Sequence, residues 1–149
     1  MNFLNVSGLP LELTQSHRPI RLRLHHPQSI LHDVLLVKHV SGREAVCGGI
    51  EYRLLCVSTQ AGLPLKEFIA LPAELQFVTD RGGLRAVCGI VAQACAGQSD
   101  GGLATYQLVV RDALALMERR TNTRVFRTMN EVDISIAVIR EWRSINPVL

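Results

Sequence analysis

The sequence predicts an α+β protein: a mainly antiparallel β barrel or roll, followed by a short helical element. Two observations lead to this prediction. Short apolar stretches, several of them with period-two alternation, recur along residues 20–110 and are separated by glycine-containing turns. Beyond Asp112 the apolar spacing becomes helical. Strands that come first and helices that come last are typical of α+β folds.

The first three predicted strands are short. Residues 20–24 alternate strictly between apolar and basic side chains, which is the pattern of a half-buried strand. Two further strands are predicted at residues 35–40 and 50–57. Ser41 and Gly42 are expected to form a turn between those two strands.

For the next part of the chain, the sequence predicts one short helix and three more strands. Pro64 suits the first turn of a helix over residues 65–71. A hairpin turn is expected at residues 80–83, and a glycine-rich turn at residues 97–102. The three strands are residues 75–79, 85–96 and 104–110.

Two helices complete the predicted fold. Asp112 is predicted to cap the first, whose last residues Arg119 and Arg120 complement the negative end of its dipole. Asn130 is predicted to cap the second, with Asp133 as the fourth member of a capping box. The second helix is apolar on two faces and therefore needs two packing neighbours. These faces are Val132, Ile136 and Ile139, and Ile134, Val138 and Trp142.

Composition narrows the classes of function. The chain has 149 residues, 48% of them hydrophobic and only 19% charged, which favours burial against other subunits. A net charge of +3 is too small to predict nucleic-acid binding by itself. The sequence shows no secretory signal and no apolar stretch of about 20 residues, so we expect cytoplasmic folding and no membrane span.

The sequence shows no pattern typical of catalysis or of a bound cofactor. Seven-residue steps separate His25, His32 and His39, but Pro27 and the strand patterns exclude a shared helix, so we predict no metal site. The glycine pairs lack the phosphate-loop context, and the aspartates lie in turns or caps. The cysteines are expected to be reduced, buried and inert. They are Cys47, Cys56, Cys88 and Cys95.

An ordered set of motif residues runs along most of the chain, from Leu35 to Ile139. It consists of Gly42, Glu44, Tyr52, Arg85, Gly89, Asp100, Gly101, Gly102, Tyr106, Leu108, Arg124 and Phe126. This order resembles the N-terminal region of type VI secretion spike proteins of the VgrG family, which is similar to the tail hub of contractile phages. The chain departs from the family pattern at three places. Gly49-Ile50 replaces Leu-Phe, Asp112-Ala113 replaces Pro-Trp, and Arg127 replaces Gln.

The resemblance implies a structural, non-enzymatic protein. It implies a homotrimer whose pseudo-hexameric ring seats on the tube of haemolysin-coregulated protein and contacts other baseplate, spike-tip and effector proteins. Such a protein leaves the cell through the secretion machine without a signal peptide. It also implies that the chain is a fragment of a longer spike. We expect a flexible segment at residues 1–17, a hub domain at 18–111 and the start of a further subdomain at 112–149.

Other interpretations stay open. The arginine group near residue 120 is either an interface or a solvated turn, and the possible interface residues are Arg119, Arg120, Arg127 and Trp142. A phage-type baseplate hub outside secretion would share the fold. A nucleic-acid-binding β barrel would use Arg21 and Arg23, although isolated aromatic residues count against it.

Overall fold

The computed structural model describes residues 14–26, 29–31, 33–99, 102–119 and 121–145. The chain divides into two compact units, Met1–Asp112 and Ala113–Leu149. The strands all belong to the first unit. They are β1 Ile20–His26, β2 Ser29–Leu31, β3 Leu36–Ala45, β4 Gly49–Ser58, β5 Pro72–Val78, β6 Leu84–Ser99 and β7 Ala104–Arg111. The helices are α1 Leu65–Phe68, a 3-10 helix at Ala113–Arg119 and α2 Glu131–Ile145.

The seven described strands form one sheet in the order β2-β1-β5-β6-β7-β4-β3, and every described pair is antiparallel. Hairpins join β3 to β4, β5 to β6 and β6 to β7. The observed fold confirms the prediction of a mainly antiparallel β roll followed by a short helical element.

Side chains from the segment before β1 link strands that lie near opposite ends of the sheet order. The Gln15 amide accepts a hydrogen bond from the Leu22 backbone N–H at 2.5 Å and donates one to the Leu22 carbonyl at 2.9 Å. The Gln15 backbone N–H donates to Asp33 Oδ1 at 3.0 Å. Arg18 Nη1 donates to the carbonyl of Val37, in β3, at 3.0 Å. The sheet therefore curls, and residues 14–18 join β1 to β3.

One apolar core fills the curled sheet. Leu22 and Leu24 of β1 are buried between exposed or half-buried basic neighbours, which confirms the alternation predicted for that strand. Tyr52, Leu54 and Cys56 share the buried face of β4, also as predicted. Full burial of one leucine side chain contributes about 1.5–3 kcal/mol, so these alternating positions dominate the stability of the first unit.

One prediction about the strands of this unit and one about its cysteines are wrong. Ser41 and Gly42 do not form a turn, because β3 continues through them to Ala45 and the chain turns at residues 46–48 instead. The cysteines are free, but Cys56 is the buried one and Cys47, Cys88 and Cys95 are exposed. Cys47 lies in the turn. Cys88 and Cys95 pair across the sheet with Glu74 and Gln107, on its outer face.

The helices differ from their predicted lengths and type. α1 ends at Phe68 because the next residues pair with β6: Ala70 N–H donates to the Val91 carbonyl at 2.8 Å, and Val91 N–H donates to the Leu71 carbonyl at 3.0 Å. The predicted helix after Asp112 is a 3-10 helix. Asn130 caps α2 as predicted, because its Oδ1 accepts from the Asp133 backbone N–H at 2.8 Å.

Candidate functional site

Three of the motif residues, from three different strands, meet at one carboxylate. Glu44 of β3 accepts a hydrogen bond from the Tyr52 hydroxyl of β4 at 2.5 Å. Arg85 of β6 donates from Nη2 to both Glu44 carboxylate oxygens at 2.5 Å. Because β4 and β7 separate β3 from β6 in the sheet order, this ion pair connects strands that are not neighbours. We call these three residues the Glu44 clasp.

Gly42 and Phe77 hold the Tyr52 ring in place. Gly42 is the cross-strand partner of Tyr52, and a Cβ at Gly42 would lie 2.3 Å from the ring atom Cδ1. Glycine is thus required at this strand position, because the aromatic ring occupies the space of a side chain. On the β5 side, the Phe77 ring lies 6.0 Å from the Tyr52 ring in a tilted arrangement. The ring is packed from two sides and its hydroxyl is aimed at Glu44.

The clasp shifts the ionisation of two of its members. The hydrogen bond from Tyr52, followed by the one from Arg85, lowers the pKa of Glu44 below its ordinary value. Burial, followed by the bond to Glu44, raises the pKa of Tyr52. At neutral pH the arrangement is therefore a carboxylate, a neutral phenol and a guanidinium. Such a set holds strands together through charge-assisted bonds.

Three other motif residues support the sheet. A Cβ at Gly89 would lie 2.4 Å from the Arg111 carbonyl oxygen, so β6 can approach β7 this closely only with glycine there. The buried Tyr106 hydroxyl donates to the Gln60 carbonyl at 2.8 Å and accepts from the Leu63 N–H at 3.2 Å. It thereby fixes the loop between β4 and α1. Leu108 is 1% exposed and belongs to the core.

The structure does not bring every motif residue to the clasp. Asp100 and Gly101 lie outside the described residues, and Gly102 stands at a bend just before β7. Arg120, one of the possible interface residues, also lies outside the described part of the chain.

The remaining predicted residues belong to the second unit. Arg124 forms an ion pair with Glu141 of α2, through Nη1 to Oε2 and through Nη2 to Oε1 at 2.6 Å. Arg124, Phe126 and Trp142 line one pocket of this unit. Arg119 and Arg127 are exposed. Arg119, Arg127 and Trp142 therefore lie in the second unit, and their place at an interface stays a prediction.

Two observations on the described residues concern metal binding and thiol reactivity. They contain no group of three or more histidine, cysteine, aspartate or glutamate side chains suited to holding a metal ion. Burial raises the pKa of the Cys56 thiol to about 12, which keeps it protonated and unreactive at neutral pH. Within the described part of the chain, no helix has the length and apolar character needed to cross a membrane.

Sequence reasoning missed three residues that position these sites. They are Gln15, which joins β1 to the segment after β2, Phe77, which packs on Tyr52, and Glu141, which pairs with Arg124. Each makes its contact with a residue 17 or more positions away in the chain, and no local pattern marks such a partner.

Comparisons with known proteins identify the family. The model of the phage tail baseplate hub (GPD) family matches residues 43–148. The type VI secretion system spike protein VgrG1b of Pseudomonas aeruginosa is 32% identical over 109 residues, which are 73% of this chain and 15% of that protein. VgrG1c of the same organism is 32% identical over 120 residues, which are 80% of this chain and 16% of that protein. This chain thus spans about one sixth of these relatives' length.

A solved structure agrees in fold. The Escherichia coli c3393 protein, described as a component of the type VI secretion system with structural similarity to the T4 bacteriophage tail proteins gp27 and gp5, superposes with a TM-score of 0.67. The match covers 81% of this chain and 32% of that one, at 18% identity. The rolled sheet, the motif residues collected at Glu44 and the sequence matches lead to one assignment: the chain belongs to the phage tail baseplate hub family and corresponds to the N-terminal region of a VgrG-type type VI secretion spike protein.

Proposed function

We propose that this chain is the hub part of a type VI secretion spike and that it acts by assembly, without catalysis. In this role three copies of the whole spike form a ring that caps the secretion tube and helps to deliver effectors. Residues 18–111 form the hub domain, and residues 112–149 begin the next subdomain. The spike folds in the cytoplasm and leaves with the machine.

The single observation that carries this proposal is the open apolar face of α2. Val132, Ile136 and Ile139 are 64%, 40% and 40% exposed and are spaced by four and three residues, so they share one side of the helix. Water contact with so much apolar surface is unfavourable, and such a face is typical of a protein that is covered by a partner when assembled. A structural hub needs this kind of surface, whereas an isolated monomer does not.

The partners follow from the proposed role. The open face is covered by further parts of the same spike and by its identical copies, because closed symmetry leaves no such face in water. The tube of haemolysin-coregulated protein, baseplate proteins and effectors are the other partners. The names of the relatives support the secretion complex as a whole.

Light scattering on the longest obtainable spike tests the assembly. We expect a trimer, and a weaker trimer when Ile136→Asp places a charge on the open face. Val46→Asp is the matched control, since Val46 is 98% exposed in a turn of the first unit. A monomeric long spike, or a trimer that Ile136→Asp leaves as stable as the control does, would contradict the proposal. Retention of purified haemolysin-coregulated protein hexamers by the trimer then tests the tube contact.

A phage-type baseplate hub outside secretion is the second candidate, because the matching family model is that of a phage tail hub. Binding to a phage tube protein in preference to the haemolysin-coregulated protein would favour it. A nucleic-acid-binding barrel is disfavoured, since Arg21 donates to the Ser16 and Arg18 carbonyls and Arg23 lies 3.8 Å from Glu74. A filter-binding assay at several salt concentrations is expected to show no retention of oligonucleotide.

A further inference from the structure

The second unit contains a pocket of about 280 Å³ that the proposed spike role does not use. We propose that this pocket binds one apolar side chain of a partner protein, presented by an acidic segment of that partner. The lining residues are Met117, Asn122, Arg124, Phe126, Val138 and Trp142.

The size and lining of the pocket select an apolar anchor. Pockets for small-molecule ligands usually measure about 300–1,000 Å³, so this one lies at the small end of that range and has room for one large side chain. Phe126, Trp142, Val138 and Met117 give it two aromatic and two aliphatic walls. Pockets of this kind receive the aromatic or aliphatic residues that dominate protein–protein binding energies.

Arg124 lines the pocket, and its positive charge is balanced by an ion pair. Both of its terminal nitrogens donate to the Glu141 carboxylate, so the guanidinium is held in one orientation by a bidentate pair. A charged group entering the pocket would compete with that pair. An uncharged side chain inside, with charges outside, fits the arrangement better.

The net charge of the second unit favours an acidic partner. Residues 113–149 carry six arginines and four carboxylates, a net charge of +2. Four of the arginines are exposed and lie within two positions of a lining residue in the chain, against two carboxylates, Glu118 and Glu141, the second of which is paired with Arg124. The four arginines are Arg119, Arg127, Arg140 and Arg143. Glutamates or aspartates on either side of an apolar anchor would meet these arginines, which gives both specificity and faster association.

Trp142 is the only tryptophan of the chain, so its fluorescence reports directly on the pocket. The full 149-residue chain is titrated with a blocked peptide of glutamates that has one central phenylalanine. We expect a saturable change of the Trp142 emission. The same peptide with alanine at the centre is expected to bind at least about tenfold more weakly, because it lacks the anchor. A lysine peptide with the same phenylalanine is expected not to bind.

Two kinds of variant separate the anchor from the charges. Val138→Phe fills the pocket while keeping Trp142, and should abolish the preference for phenylalanine over alanine. The double change Arg127→Glu and Arg143→Glu alters exposed residues only, and should weaken the glutamate peptide while improving the lysine peptide. Arg81→Glu, at an exposed turn of the first unit, is the matched control and should change neither.

Three results would overturn the proposal. One is an emission change of the same size with the phenylalanine and alanine peptides. Another is no saturable change with any peptide. The third is tighter binding of a single-stranded oligonucleotide than of the glutamate–phenylalanine peptide, which would assign the pocket to base stacking instead. The trimer measured for the longer spike bears on none of these outcomes, so failure of one proposal leaves the other standing.

Discussion

The two compact units differ in how far their apolar side chains are buried. In the first unit they are collected into one core that draws on nearly every strand. Among the described residues of the second unit, Ala115 is the buried hydrophobic one. The large exposed apolar residues of that unit are Leu114, Val125, Met129, Val132, Ile136 and Ile139.

This difference indicates which interactions stabilise each unit. The first unit is held by burial, by closely registered strands and by the Glu44 clasp. The second has local interactions, namely the Asn130 cap and the solvent-exposed pair between Arg124 and Glu141. A helix cap contributes only about 0.5–2 kcal/mol, and an exposed ion pair contributes little. A 15-residue helix is marginal without tertiary packing. The first unit is therefore stabilised by its core, whereas the second leaves most of its large apolar side chains exposed, as the proposed assembly role requires.

The largest effect is expected from matched aspartate substitutions in the two units. Leu108→Asp places a carboxylate in the core and removes a buried leucine, at a cost of about 4 kcal/mol or more. This is a large part of the stability of an ordinary domain, so we expect the first unit to unfold or nearly so. Ile136→Asp, on the open helix face, is expected to change stability by about 0.5 kcal/mol.

Urea titrations followed by circular dichroism measure both variants. An unchanged midpoint for Leu108→Asp would remove Leu108 from the core. A loss for Ile136→Asp as large as that for Leu108→Asp would show that the helix face is covered within the isolated chain, and the contrast between the units would fail.

Gly42→Val is the second test, at the base of the clasp. The added side chain overlaps the Tyr52 ring, so we expect a loss of about 1–3 kcal/mol. Tyr52→Ala in the same chain removes the ring and should make the Gly42→Val change nearly neutral. A double-mutant cycle in urea gives the coupling energy. Additive losses would mean that the ring does not rest on Gly42.

Gly49→Ala is the third test, and it concerns two positions at which the sequence departs from the family pattern. Gly49 has φ +70°, and a Cβ there would lie 2.2 Å from Asp112 Oδ2. The same oxygen accepts a hydrogen bond from the Ile50 backbone N–H, with 3.4 Å between nitrogen and oxygen. The left-handed conformation alone costs about 1–2 kcal/mol for a residue other than glycine. Gly49→Ala should lose more than that, and Asp112→Ala should restore the steric part only. Full restoration in thermal melts would show that backbone strain plays no part.

The sequence predicted those parts of the fold that local chemistry determines. Alternation identified β1 and the buried face of β4, and the Asn130 cap followed from its position before an apolar helix. The resemblance also named Glu44, Tyr52 and Arg85. It named them as separate positions, because Glu44 and Arg85 are 41 residues apart and meet only when the sheet curls.

Local patterns misled where a distant partner decides the structure. Ser41 and Gly42 have the composition of a turn, yet both pair with β4, and glycine is needed at position 42 because the Tyr52 ring fills the space of a side chain. At Leu22, the Gln15 side-chain amide makes the two backbone hydrogen bonds that a neighbouring strand would make. A single glutamine in the sequence does not indicate this role. The cysteines of the outer face were predicted to be buried because strand periodicity does not say which face is inside.

The smallest expected effect is the pH dependence of the clasp, which exists only in the first unit. The pKa of Glu44 is lowered in the folded protein, so its contribution to stability is complete above its unfolded pKa of about 4.5 and is lost as pH falls through the lower folded value. Urea midpoints of the wild type and Glu44→Gln should differ by a constant amount from pH 7 to about pH 5 and converge below that. Tyr52→Phe, which removes the donor with the largest influence on this pKa, should flatten the wild-type dependence. Since the clasp is partly exposed, added salt should shrink the difference. A difference that stays constant down to pH 3 would show that Glu44 acts by packing alone and that its charge contributes nothing to the stability of the first unit.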